Sequence, residues 1–190
     1  MISEFKFFSE LNFFLKNNES FVVYKKPSHN KIVFHQGDVI SGQIDDIDNN
    51  RGFLFMPFDL NKDGYFLKPK ITTETKFHLK VNNKRTNEIS IKEFSSKKSS
   101  YIKFINETID NIHSSELEKV VCSSVFNVKL NSESCIEYFK KLIQLNHDAF
   151  CYLFYHPDTG VWIGASPEKL LNLNSNVCLL YTSDAADDRI

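Results

Sequence analysis

Along the first fifteen residues, apolar side chains recur at helical spacing. Phe5, Phe8, Leu11 and Phe14/Leu15 fall three or four positions apart behind Ser3, whose hydroxyl suits a helix cap, and they predict an amphipathic first helix. The period then changes. Residues 21–24, 31–34, 52–56, 65–67, 77–81 and 88–91 are short β-type runs, separated by turn-rich pieces at 45–52 and 61–64. Residues 95–100, serines around two lysines, read as a polar linker and the best internal boundary. Beyond them Tyr101, Phe104, Ile105, Thr108, Ile109 and Ile112 mark a helical face ended by His113-Ser114-Ser115. Residues 119–130 read as a strand, and 132–145 as a second amphipathic helix carrying Ile136, Phe139, Leu142 and Ile143. Residues 149–155 form a dense apolar strand, turned by His156-Pro157-Asp158-Thr159-Gly160 into a short one at 161–164. The order α, mixed β, then α-β-α-β-β argues for an α+β fold over a doubly wound parallel sheet.

Composition narrows the picture only a little. The chain of 190 residues fits one medium domain or part of a larger one. Its net charge of -1 leaves no electrostatic footprint for nucleic acid or an anionic membrane. No run reaches the length of a membrane span, and the first residues lack a basic segment followed by an apolar one. Cys122, Cys135, Cys151 and Cys178 are widely spaced, which reads as thiols in a reducing compartment, with the cytoplasm as the expected location. Eighteen Phe against one Trp imply bulky apolar packing. Asp45, Asp46 and Asp48 lack the central Gly and downstream acid of an EF-hand loop and read as a solvated turn. The six histidines (29, 35, 78, 113, 147, 156) show no metal-binding spacing, and His147 and His156 read as surface or turn residues.

At Cys178 the composition shifts. Cys-Leu-Leu-Tyr-Thr-Ser-Asp-Ala-Ala-Asp-Asp-Arg-Ile resembles the in-frame translation of a transposase-end adapter used in sequencing libraries. The expectation is that 178–190 is a non-native tail and that the genuine protein breaks off near Val177.

Two segments carry chemistry. Lys119-Val120-Val121 opens the run at 119–130, and Trp162-Ile163-Gly164-Ala165-Ser166-Pro167-Glu168-Lys169-Leu170-Leu171 follows 43 residues later, counting from Lys119 to Trp162. Taken alone, Lys119 is an exposed lysine at a strand start. Ser166 and Pro167 alone would begin a helix whose positive end Glu168 faces. Together, in this order and with the helix at 101–112 and the strand at 149–155, they resemble the chorismate-utilising enzymes over roughly residues 101–171. Phe53-Leu54-Phe55-Met56-Pro57-Phe58 adds a weaker similarity.

The resemblance implies an anthranilate synthase component I-like fold, with stacked β-sheets and outer helices. In that frame 1–94 is an N-terminal mixed part and 95–177 the truncated start of a chorismate-binding domain. It implies that Lys119 is the general base of the water-adding branch, where the ammonia users carry glutamine, and that Glu168 is the general acid for the departing C4 hydroxyl. The implied activity is isochorismate synthase, for menaquinone or siderophore synthesis. Chorismate is then the substrate, and Mg²⁺ the cofactor, with ligands expected beyond residue 177. A monomer with no nucleic-acid or membrane partner is expected. Where the family usually continues with Leu-Ser-Arg, this chain has Cys122, Ser123 and Ser124. The later Ala-Gly-Thr segment and Mg²⁺ glutamates are missing, so the chain as given is expected to be inactive. Salicylate, aminodeoxychorismate or anthranilate synthase, and a non-catalytic binding module, are the alternatives.

Overall fold

The computed structural model describes residues 2–43, 51–59, 61–78, 92–125, 127, 134–167, 171–174 and 177–180. The chain divides into two compact units, one formed by Met1–Val81 with Glu133–Ile190 and the other by Asn82–Ser132.

In the first unit, helix α1 (Glu4–Lys16) starts where expected. Ser3 Oγ accepts from the Lys6 amide at 3.3 Å, with Glu4 in the first turn and Lys16 in the last to complement the helix dipole. Its buried stripe is Phe7, Phe8 and Leu11, with Phe14 and Leu15 packed beside it. Phe5, expected in that stripe, is instead 87% exposed, because Phe7 takes the inward position one turn before Leu11.

Strands β1 (Phe21–Lys25), β2 (Lys31–Gly42), β3 (Phe53–Phe55), β4 (Gly64–Lys76), β5 (Phe150–His156) and β6 (Gly160–Ser166) form one antiparallel sheet in the order β3-β4-β2-β1-β5-β6. β2 and β4 run far past the short apolar runs that announced them. Their polar ends are held by pairing along the whole of both strands, interrupted by one irregularity at Gln36/Gly37. A Cβ at Gly37 would run into the Lys68 carbonyl, so only glycine lets the strands approach there. Of the strand expected at 77–81, residues 77 and 78 lie outside any strand: β4 stops at Lys76, although Phe77 is buried and its amide donates to the Asn30 carbonyl at 2.7 Å. Residues 79–81, 88–91 and the Asp45–Asp48 turn lie outside the described residues.

Strict alternation divides the sheet's two faces. Phe21, Val23, Ile32, Phe34, Cys151, Leu153 and Tyr155 point to α1 and to helix α3 (Cys135–Leu145), which contributes Ile136, Phe139 and Ile143 to the same core. Ser134 caps α3 by accepting from the Glu137 amide. On the other face Val22, Leu67 and Phe154 are buried under Tyr24, Phe53, Phe55, Tyr65 and Tyr152. Here the sheet curls. Phe55, on the β3 edge, lies 4.7 Å from the Phe154 ring and 5.5 Å from the Trp162 ring, on strands four and five places away. A flat sheet would separate those strands by roughly 19–24 Å. A separate hairpin pairs β7 (Leu171–Asn174) with β8 (Val177–Leu180), which runs across the boundary drawn at Val177/Cys178.

One buried charge stands out. Lys25 ends β1 with no exposed surface, and its Nζ donates to the carbonyls of His147 (2.6 Å), Ala149 (3.3 Å) and Lys26 (3.3 Å).

In the second unit, α2 (Lys92–Ser114) contains residues 95–100, which are helical and not a linker. There is no Gly or Pro between 92 and 114, so this polar stretch holds no helix breaker. Residues 119–125, expected as a strand, have no regular secondary structure. Val120, Val121 and Val125 favour strands only when a neighbouring strand packs on them, and they are exposed. The segment turns back along its helix, where Cys122 Sγ lies 3.8 Å from Thr108 Oγ1.

Candidate functional site

The β5–β6 hairpin positions the glycine-containing signature. Its register pairs Tyr152 with Gly164 and Phe150 with Ser166. A Cβ on Gly164 would fall 2.6 Å from Tyr152 Cε1 and 2.8 Å from its hydroxyl oxygen, so the signature glycine exists to let the tyrosine ring lie across β6. Burial raises the Tyr152 phenol above its ordinary value and keeps it a hydrogen-bond donor. Ser166 and Pro167, at the end of the hairpin, are exposed. Glu168 lies outside the described residues. Lys119 is described in the second unit, exposed and outside any strand.

The curled face also carries a polar group that sequence reading missed. Tyr24 stacks on Phe150 and Phe53, with ring centroids 5.7 and 6.2 Å away. A neutral His35 imidazole protonated at Nδ1 satisfies both of its contacts. It accepts from the Tyr24 hydroxyl at Nε2 (3.2 Å) and donates to Thr72 Oγ1 (2.9 Å). Burial lowers the His35 pKa below the usual histidine range, with Glu74 opposing. Burial, reinforced by Glu74 and countered by Lys31, raises that of Tyr24. The alternation Val22/Tyr24 could have placed Tyr24 on this face. No local signal pairs His35 with Thr72, which is 37 residues away.

His147 is exposed, as expected, but His156 is packed against the Tyr65 ring at 4.7 Å. An open cavity of about 400 Å³ lies along α1 beside Lys140, over Phe5 and Phe8. Its charged and amide groups already have partners: Lys140 pairs with Glu137, Asn12 donates to the Phe8 carbonyl, and Glu4 lies 3.7 Å from His78. Among the described residues no three His, Cys, Asp or Glu side chains come together to hold a metal ion. No described helix is long and apolar enough to cross a membrane.

Residues 63–181 match the family described as chorismate binding enzyme, which is more than half of the chain. The chain belongs to that family. The match runs from the start of β4 through α2, Lys119, α3, β5, β6 and Glu168 to the end of the β7–β8 hairpin. It begins well before residue 101, where the resemblance of individual segments starts. No curated protein and no solved structure matches the chain.

Proposed function

We propose that this chain is the N-terminal portion of an isochorismate synthase, which when complete acts on chorismate in the cytoplasm as a monomer. The observation that carries the reading is Lys119 at the head of Lys119-Val120-Val121, followed by Glu168 in Ala165-Ser166-Pro167-Glu168, both inside the family match. In the reaction Lys119 takes a proton from water as the oxygen bonds to C2. The ring double bonds shift, and the C4–O bond breaks. Glu168 protonates the departing oxygen, which leaves as water. The two residues need opposite environments. An ordinary lysine is neutral in roughly one molecule in a few thousand at pH 7, so Lys119 must be enclosed or set beside another cation. Glu168 must be held protonated. Mg²⁺ belongs to this reading as the ion that would hold the substrate carboxylate, with its ligands expected beyond residue 177.

The test is product analysis after incubation with chorismate and Mg²⁺. The protein is made both as this sequence and as read from its native locus through codon 177. Isochorismate should form with the native-locus protein and not with this sequence, and in the former both Lys119→Ala and Glu168→Gln should abolish it while the circular dichroism spectrum is kept. Turnover retained in either variant sinks the catalytic roles. Salicylate, or an amino product formed with ammonium, transfers the protein to another branch. The exposure of Lys119 favours one second reading, a binding module without catalysis. Saturable chorismate binding without turnover in both forms of the protein would establish it.

A further inference from the structure

Lys25 has no exposed surface, and among the described residues its hydrogen bonds go to main-chain carbonyls and to no carboxylate. Three carbonyl oxygens surround one nitrogen and each accepts from it, those of His147 and Lys26 in addition to a main-chain amide. An ammonium supplies three donors, whereas a neutral amine would turn a lone pair on one of the oxygens. Removing such a charge from water is costly unless its bonds are all made, and here they are. Two of the acceptors, His147 and Ala149, bracket the turn that launches β5, and the third follows Lys25 itself. The same seam is fastened from the β1 side by Ser28, whose amide donates to the His147 carbonyl (3.1 Å) and whose hydroxyl donates to Asp148 Oδ1 (2.8 Å). Ser28 holds a left-handed φ of 57° to do so.

We propose that Lys25 is a captive cation. Its head group fills a monovalent-cation site built of main-chain carbonyls, and the tether of the side chain makes that cation permanent. The site locks the β1–β5 register, in which Lys25 faces Cys151, and through β5 it fixes the β6 strand that carries Gly164 and Ser166. The ligand class is a primary ammonium ion, with three N–H donors on a slender alkyl stem. The inference does not rest on the proposed activity.

The first test uses the unaltered chain with ¹⁵N-labelled lysine. Lys25 should give a ¹⁵Nζ–¹H₃ ammonium correlation that persists at neutral pH through slow proton exchange. A rapidly exchanging Lys25, like the surface lysines, overturns the proposal. The second test compares variants by thermal unfolding. Lys25→Met keeps the volume but removes the N–H donors that all three carbonyls share, and should lower the midpoint by several degrees. Lys25→Ala should unfold lower still and be partly restored by n-propylammonium chloride. Tetramethylammonium chloride, which has no N–H, should not restore it at equal ionic strength. Equal stability of Lys25→Met and the parent chain, or equal rescue by both salts, would show that the carbonyls need no cation. Should Lys25→Ala fail to fold, the labelling result decides.

Discussion

Gly164 is defined by what lies above it. Because the Tyr152 ring occupies the place of a β-carbon, Gly164→Ala must push the ring aside and should cost about 1–3 kcal/mol in chemical denaturation. Tyr152→Leu in the same chain should recover part of that loss. Independent, additive effects would contradict the packing argument. His35 gives a pH prediction of definite sign. Its folded-state pKa lies below the ordinary 6.5, so the unfolded chain binds the proton more tightly. The stability it contributes is therefore complete above pH 6.5. It is lost as pH falls from there toward the lowered folded value, where protonation also disturbs the Nε2 acceptor used by Tyr24. Unfolding midpoints measured from pH 7.5 to 5 should decline, and His35→Gln should flatten the decline. At this scale the sequence marks Lys119, Gly164 and Glu168 as candidates by order and spacing alone. The partners of Gly164 and His35 are not so marked, since each depends on a strand register set elsewhere in the chain.

Among the elements, α1 tests the choice of buried face. Phe7→Ala should cost roughly 3–5 kcal/mol, whereas Phe5→Ala should stay within about 0.5 kcal/mol. Both phenylalanines fit an apolar repeat read three or four residues at a time, and only the docking angle of the helix selects between them. Helix α3 and strand β5 are readable because their apolar residues are the buried ones, and β6 because the turn at 156–160 leads into it. Residues 95–100 are polar and yet helical, because polarity without a helix breaker does not loosen a chain. Residues 119–125 are the opposite case, β-branched in composition and yet in no strand. Among the described residues of that unit, no strand offers the pairing such residues require.

For the molecule as a whole, membership of the chorismate binding enzyme family predicts that chorismate is recognised. Adding it should raise the unfolding midpoint in a concentration-dependent way if it binds the native chain, and an unchanged midpoint at millimolar chorismate would count against binding. The curl could not be foreseen from alternation, which assigns faces but says nothing of curvature. It rests on aromatic contacts between the two edges of one sheet, as in Phe55 with Trp162.

The pairing of β1 with β5 also governs the order of events during synthesis. Tyr24 waits for Tyr152 and Lys25 for Cys151, so one edge of β1 stays bare while the intervening 125 residues are made. At 5–20 residues per second that interval lasts about 6–25 s, with the phenylalanine-rich face only partly covered. A nascent chain stalled before residue 150 should therefore bind trigger-type chaperones and resist folding, and one stalled well past residue 166 should release them.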